Sequence, residues 1–305
     1  MGATAAIAPP SPGAAVPPAR ATRPRTAFVL SGGASLGALQ VGMLRALYER
    51  GIVPDLLVGT SVGALNAAFV ASRPQTAATA AELARVWRSL QREDVFPVSV
   101  RALVSGLSRQ RDHFVPDRGL RSQVRRYLEF DDLSEASVSL HVVAFDLIEG
   151  REVRLSDGPA VDAITAAASI PGVFPPVRIG ERHLIDGGVV NNTPISHAIE
   201  LGAERVYVLP TQQHANALGH APRGALDAAI YALGVLIDGR LEFDIARYSD
   251  AAELIVLPAP NPQQVQPTDF GHSSHLIAQA HAACRTLLAR RPSSEPRLAL
   301  RRAAI

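Results

Sequence analysis

Asp55-Leu-Leu-Val-Gly-Thr-Ser-Val-Gly-Ala-Leu-Asn66 is the stretch on which the fold turns. The apolar run Leu56-Leu57-Val58 stops at Gly59, and an Ala-rich helical pattern runs from Val62 to Ala71. Strand, sharp turn and helix follow in that order. Gly59-Thr60-Ser61-Val62-Gly63 matches the G-x-S-x-G pattern of a nucleophile elbow. Such a turn strains the serine backbone, and a Cβ at either flanking glycine would strike the neighbouring strand or helix. The hydroxyl would then stand at a helix N-terminus, where backbone N–H groups and the helix dipole favour developing negative charge. An ordinary βα turn can carry the same five residues, so other parts of the chain must discriminate.

Upstream, Thr26–Leu30 reads as a short apolar strand, followed by Ser31-Gly-Gly-Ala-Ser-Leu-Gly37. A helical pattern from Ala38 to Arg50 stops at Gly51, which completes a βαβ unit with parallel strands. Downstream, Val138–Phe145 and Arg151–Leu155 make a hairpin around Glu149-Gly150. Further strands are expected at 183–185, Arg205–Leu209 and Glu253–Leu257. Helices are expected at Ala160–Ser169, halted by Pro171-Gly172, and near 194–201, 223–247 and 273–290. This alternation indicates an α/β domain with a largely parallel sheet.

Residues 73–137 differ in character, with helical segments at about 77–92 and 117–129 and no clear buried strand. Between Arg85 and Arg126 stand ten arginines against four acidic residues, Glu93, Asp94, Asp112 and Asp117. Trp87, Val95, Phe96, Val104, Leu107 and Phe114 are interleaved among them. The segment reads as a helical cap inserted over the sheet. Its arginines suit an anionic lipid interface, and among them Arg121, Arg125 and Arg126 are the ones to test. A solvated amphipathic cap accounts for them equally well.

Composition narrows the function classes. A chain of 305 residues with 47% hydrophobic and 19% charged residues is long enough for one large domain or two modest ones with a sizeable core, and a net charge of +2 does not point to nucleic acid. All 30 basic residues are arginine, which coding bias explains without appeal to function. The single cysteine, Cys284, excludes an internal disulfide and suits a reducing compartment. It lies in an apolar helical run, where a structural thiol is expected. No 18-residue apolar run free of charge and proline occurs, so a cytoplasmic protein, at most peripheral to a membrane, is expected. Residues 1–24 read as a disordered Ala/Pro-rich tail without the charged start of a secretory signal or the hydroxyl of a myristoylation site. Residues 25–291 are taken as the domain and 292–305 as a C-terminal tail.

A serine nucleophile needs a base and a set of oxyanion donors. Gly32-Gly33-Ala34, directly after the first strand, can bring backbone N–H groups close to a ligand. It fits neither the P-loop nor the dinucleotide-binding spacing. The Val62 N–H, just after the nucleophile, would be the second arm. For the base, His183, Asp186 and the late histidines His214, His220, His272, His275 and His281 compete. Asp186 ends an apolar strand before Gly187-Gly188 and reads locally as a turn former or a site residue. His272 reads as a capping or packing residue. Asn191 and Asn192 could support the Asp186 loop or merely lead into the helix before Pro194, and Thr60 reads as elbow geometry.

Four blocks in order resemble the patatin-like phospholipase family: Ser31-Gly-Gly-Ala-Ser-Leu-Gly37, Gly59-Thr-Ser-Val-Gly63, Ala168-Ser-Ile-Pro-Gly-Val-Phe-Pro-Pro176 and Asp186-Gly-Gly188. The likeness spans roughly residues 26–290. It implies a three-layer α/β/α fold and hydrolysis of fatty-acyl esters of lipids by a Ser61–Asp186 dyad through an acyl-enzyme. It also implies an oxyanion-binding loop at Gly32, Gly33 and Ala34, and neither metal nor cofactor. The proline-rich block is expected to be a rigid turn feeding the Asp186 strand. The chain departs from the pattern at Leu36, where the family commonly carries Arg or Lys, and this bears on head-group preference more than on chemistry. Two rivals remain on the residues alone. One is a Ser-Asp-His triad esterase for small soluble esters, in which a late histidine is essential. The other is a non-catalytic lipid-binding protein of the same fold.

Overall fold

The computed structural model describes residues 23–95, 115–211, 239–261, 265 and 269–290. All but the last two residues of the tail expected at 1–24, the tail expected at 292–305, the interleaved Phe96, Val104, Leu107 and Phe114, His214, His220 and most of the helix expected at 223–247 lie outside the described residues.

The described residues form one eight-stranded sheet: β1 (Thr26–Leu30), β2 (Leu56–Thr60), β3 (Ser139–Asp146), β4 (Arg151–Leu155), β5 (Val177–Ile179), β6 (Arg182–Asp186), β7 (Arg205–Leu209) and β8 (Glu253–Val256). Its order is β5-β6-β3-β2-β1-β7-β8, with β4 pairing β3. β3, β2, β1, β7 and β8 run parallel, while β4 and β6 are antiparallel to β3, and β5 to β6. The βαβ unit and the 151–155 hairpin are both as the sequence predicts. The three-residue β5 was not foreseen, being too short to show a period.

Helices cover both faces. α1 (Ala38–Glu49), α2 (Val62–Ala71), α3 (Ala77–Ser89), the short α4 (Arg92–Val95), α5 (Arg118–Tyr127) and α6 (Ala160–Ala167) precede α7 (Ile195–Glu200), α8 (239–248) and α9 (Ser273–Ala289). Alternation along the strands separates two cores. Phe28 and Leu30 of β1 join the core under α1, α2, α3, α5, α6 and α9, whereas Ala27 and Val29 join the one under α7 and α8. Every residue of β1 and β2 is buried, which is why these strands read as continuous apolar runs.

The described parts of 73–137 contribute to the first core. α3 packs on α1 and α9, α5 packs on α6, and Leu83, Trp87, Leu120 and Val124 are buried. Arg121 does not present its charge to an outside surface. It bridges Asp117 and Asp162, fastening α5 to α6. Of the three arginines singled out for a lipid interface, this one is thereby removed.

The register of β3 sets the site. Its Val142–Asp146 edge is occupied by β4, so β2 and β6 share the opposite edge end to end. Val143 pairs with Thr60 and the next residue, Ala144, pairs with Asp186. Two strands from distant parts of the chain thus meet head-on, one delivering Ser61 and the other Asp186.

Candidate active site

Ser61 lies between β2 and α2 with φ +55° and ψ −128°, a backbone region that a residue with a Cβ rarely occupies. Such strain persists only where the surroundings impose it. Here the Ser61 N–H donates to the Ala167 carbonyl at the end of α6 (2.9 Å), and the Ser61 carbonyl accepts from the N–H groups of Ala64 and Leu65. The glycines flanking the turn let α2 close against the sheet: a Cβ on Gly59 would stand 2.6 Å from the Gly63 carbonyl oxygen.

Asp186 ends β6 and is anchored from the same turn, its N–H donating to the Ser169 carbonyl (2.9 Å). The last residue of α6 therefore holds the nucleophile turn, and the block that follows it holds the acid strand through Ser169. Asp186 also caps its own turn, with Oδ1 accepting from the Gly188 N–H (2.8 Å). The turn-forming reading of this residue is met by that bond, and the Ser61 side chain faces the same carboxylate closely enough to oppose the rise of its pKa. Burial dominates its electrostatics and lifts the carboxyl from the ordinary 3.8 to about 6, against the opposing hydrogen bonds from Ser61 and Gly188. Such a carboxylate is ionised at neutral pH yet basic enough to take a proton.

The glycine loop follows β1 and turns through Ala34 at φ +49°. The Gly32 N–H donates to the Asn192 carbonyl (3.1 Å), so Gly32 offers room in this loop and not a donor. The N–H groups of Gly33, Ala34 and Val62 have no acceptor among the described residues.

Buried side chains underpin this loop. Trp87 Nε1 donates to Asn66 Oδ1 (2.9 Å) and Asn66 Nδ2 to Gln40 Oε1 (2.8 Å). Gln40 Nε2 in turn donates to the Ser31 and Leu209 carbonyls (2.8 and 3.0 Å). Trp87 was read from sequence only as an apolar residue of the cap, and Gln40 and Asn66 were given no role, although a lone Asn in the Ala-rich α2 was a signal. Asn66→Ala would leave Trp87 and Gln40 short of partners in the core. A loss of about 2–4 kcal/mol is expected in urea unfolding, and a loss below 1 kcal/mol would mean the chain of bonds is dispensable.

A pocket opens from Ser61 between α2, α3, α5 and α6, lined by Leu65, Leu83, Trp87, Leu120, Ile164 and Phe174 among others. Among the described residues its polar linings are Ser61, Asn66, Gln123 and the polar tips of Trp87 and Tyr127, and Phe270 closes one side by stacking on Trp87 (centroids 6.2 Å apart). No described histidine lines it. His272 pairs with Asp269 (2.9 Å), His281 pairs with Glu49 (2.8 Å), and His183 and His275 are exposed. Cys284 is buried, its thiol pushed up to about 12 by burial, consistent with packing.

A patatin-like phospholipase family profile matches residues 28–199, more than half of the chain, and takes in the glycine loop, the elbow and the Asp186 turn. The chain belongs to the patatin-like phospholipase family. Membership supports lipid acyl hydrolysis as the general class of chemistry. An uncharacterized NTE family protein of Mycobacterium tuberculosis is 31% identical over 170 residues, which are 55% of this chain and 27% of that protein. Patatin-like phospholipase domain-containing protein 7 of Mus musculus is 29% identical over 192 residues, 60% of this chain and 13% of that one. Lysophospholipase NTE1 of Mycosarcoma maydis is 24% identical over 189 residues, 60% and 9% respectively. The match thus spans about a quarter or less of the length of these relatives. Among solved structures, VipD from Legionella pneumophila aligns with a TM-score of 0.47 at 13% identity, covering 88% of this chain and 67% of that one. No helix among the described residues is long and apolar enough to cross a membrane.

Proposed function

We propose that this patatin-like protein is a serine acyl hydrolase that cleaves fatty-acyl esters of lipids with a Ser61–Asp186 dyad. The observation that carries the reading is a strained serine facing a buried carboxylate, at the head of an apolar pocket free of described histidines. An aliphatic chain is the ligand that such a lining favours.

In the proposed course Ser61 Oγ attacks the ester carbonyl carbon as its proton passes to Asp186. The oxygen that gains charge is held by the Gly33, Ala34 and Val62 N–H groups, at the N-terminus of α2. The carbon–oxygen bond to the alcohol then breaks, and Asp186 returns the proton to the departing alkoxide. Water attacks the acyl-enzyme and gives a proton to Asp186. The bond to Ser61 Oγ breaks, the serine regains the proton, and the fatty acid leaves.

Labelling by a fluorophosphonate probe tests the dyad. Ser61→Ala and Asp186→Asn are expected to lose labelling, while alanine variants of His214, His220, His272, His275 and His281 keep it. Loss in one folded histidine variant with Asp186→Asn still labelled would favour the triad esterase. A folded wild type that takes no label would favour the non-catalytic lipid-binding protein.

A further inference from the structure

The Asp186 loop reaches back to the glycine loop through a residue that the dyad itself does not use. The Gly32 carbonyl accepts two side-chain hydrogen bonds, from Asn192 Nδ2 (3.3 Å) and from Thr211 Oγ1. The Gly32 N–H is held by the Asn192 main-chain carbonyl, so Asn192 grips Gly32 at both ends. The peptide joining Gly32 to Gly33 is planar and trans, and its C=O and N–H point in opposite directions. Fixing the Gly32 carbonyl on one side therefore fixes the direction of the Gly33 N–H on the other.

We propose that Asn192, together with Thr211, is a positioning residue that aims the Gly33 N–H at the oxyanion. The inference rests on the hydrolase reading above. Local geometry explains why the grip is required: the adjoining Ala34 sits at φ +49°, a left-handed conformation that relaxes unless neighbours hold it. It also explains the glycine at 32, since a Cβ there would stand 2.3 Å from Asn192 Oδ1 and 2.9 Å from Ser61 Cβ. Asn192 reaches the third component as well. A Cβ on Gly188 would lie 3.0 Å from both Asn192 Oδ1 and Asp186 Oδ1, so these two oxygens are at most about 6 Å apart.

Its neighbours have other duties. Asn191 Nδ2 donates to Glu152 (2.7 Å) and Ser196 (3.0 Å), and Thr193 Oγ1 donates to Ser31 Oγ (2.9 Å). Entry into α7 does not explain why the Asn192 amide turns toward the glycine loop.

Two near-isosteric variants test the proposal. Asn192→Asp keeps the main-chain acceptor and loses the amide donor, and Thr211→Val loses the hydroxyl. Deleting an oxyanion donor costs about 10²–10³ in rate, so misaiming one is expected to lower kcat by about 10–100-fold in each variant. KM for a soluble chromogenic acyl ester should stay within about threefold, because the ground-state carbonyl depends little on that donor. Inhibition by an acyl trifluoromethyl ketone, whose serine adduct carries the oxyanion, should weaken in step with kcat. Asn192→Asp should also shift the acid limb of kcat/KM to higher pH, since a second carboxylate within about 6 Å disfavours ionisation of Asp186. A kcat within threefold of wild type in the folded variants overturns the proposal, as does a loss confined to KM or to thermal stability. Should Asn192→Asp fail to fold, Thr211→Val gives the same reading alone. An inactive wild type overturns the hydrolase reading and this inference together, whereas an active wild type with unaffected variants overturns this inference only.

Discussion

Asp186→Asn is expected to abolish turnover while making the folded protein more stable at neutral and alkaline pH. On the proposed mechanism the carboxylate takes and returns a proton twice per cycle, and losing such general-base assistance costs about 10²–10⁴ in rate. The stability gain follows from the same burial. In the native state the carboxyl titrates near 6, against 3.8 as its ordinary value, so the folded protein binds this proton more tightly than the unfolded chain. A raised carboxyl contributes stability that is fully present below the unfolded value and is lost as pH climbs from about 4 to 6 and beyond. A shift of about two units at 1.36 kcal/mol each corresponds to roughly 2–3 kcal/mol of penalty in wild type at pH 8. Asparagine keeps an oxygen for the Gly188 N–H and carries no charge. Urea unfolding should therefore show the variant more stable by roughly that amount at pH 8, with the advantage fading by pH 4. Equal stability at pH 8 would mean that Asp186 is not held ionised in a desolvated setting, and the dyad reading would fall with it.

Wild-type kcat/KM should obey the same group, declining about tenfold per pH unit below the acid limb near 6, since only ionised Asp186 accepts the proton. The limb belongs to this carboxylate if it moves in Asn192→Asp.

The components of the site that lie within one stretch of chain were legible in the sequence: the elbow, the glycine loop and the strand-ending Asp186. Each is specified by local sterics, and glycine leaves a visible mark where backbones must approach. What was not legible depends on pairing between distant segments. Nothing in the sequence shows that β6 abuts β2 along one edge of β3, although that register is what sets Asp186 beside Ser61. The three-residue β5 was invisible for want of a period. Arg121 counted as part of a basic stripe until its partners Asp117 and Asp162 emerged, one of them 41 residues away. Asn192 read equally as a support for the Asp186 loop or as a helix lead-in, and its contact with the glycine loop was hidden because its partner, Gly32, lies 160 residues earlier. Gly32 in turn looked like an oxyanion donor, because the acceptor that takes its N–H, the Asn192 carbonyl, is equally remote.

Gly63→Ala should be the most damaging glycine-to-alanine change among the described residues. The residue lies in the first turn of α2, where exchanging glycine for alanine ordinarily stabilises by up to about 1 kcal/mol through helix propensity. Here that gain is overwhelmed. An added Cβ would stand 2.1 Å from the Leu30 carbonyl oxygen, 2.5 Å from the Leu30 carbonyl carbon and 2.7 Å from the Ser31 carbonyl oxygen. All three are main-chain atoms, and no side-chain rotation relieves them. α2 must move off the sheet, or β1 must bend at the point where the glycine loop begins. Either response also disturbs Ser61, two residues before Gly63, so surviving molecules should lose activity beyond the loss of folded protein. A destabilisation above about 4 kcal/mol is expected, enough to leave many domains of this size unfolded. Gly239→Ala is the matched control: it lies in α8, and an added Cβ would meet nothing within 4 Å among the described residues. That variant should unfold at the wild-type urea concentration or slightly above it. If Gly63→Ala behaved like the control, with unchanged midpoint and turnover, the close approach of α2 to β1 would not be what holds the nucleophile in place.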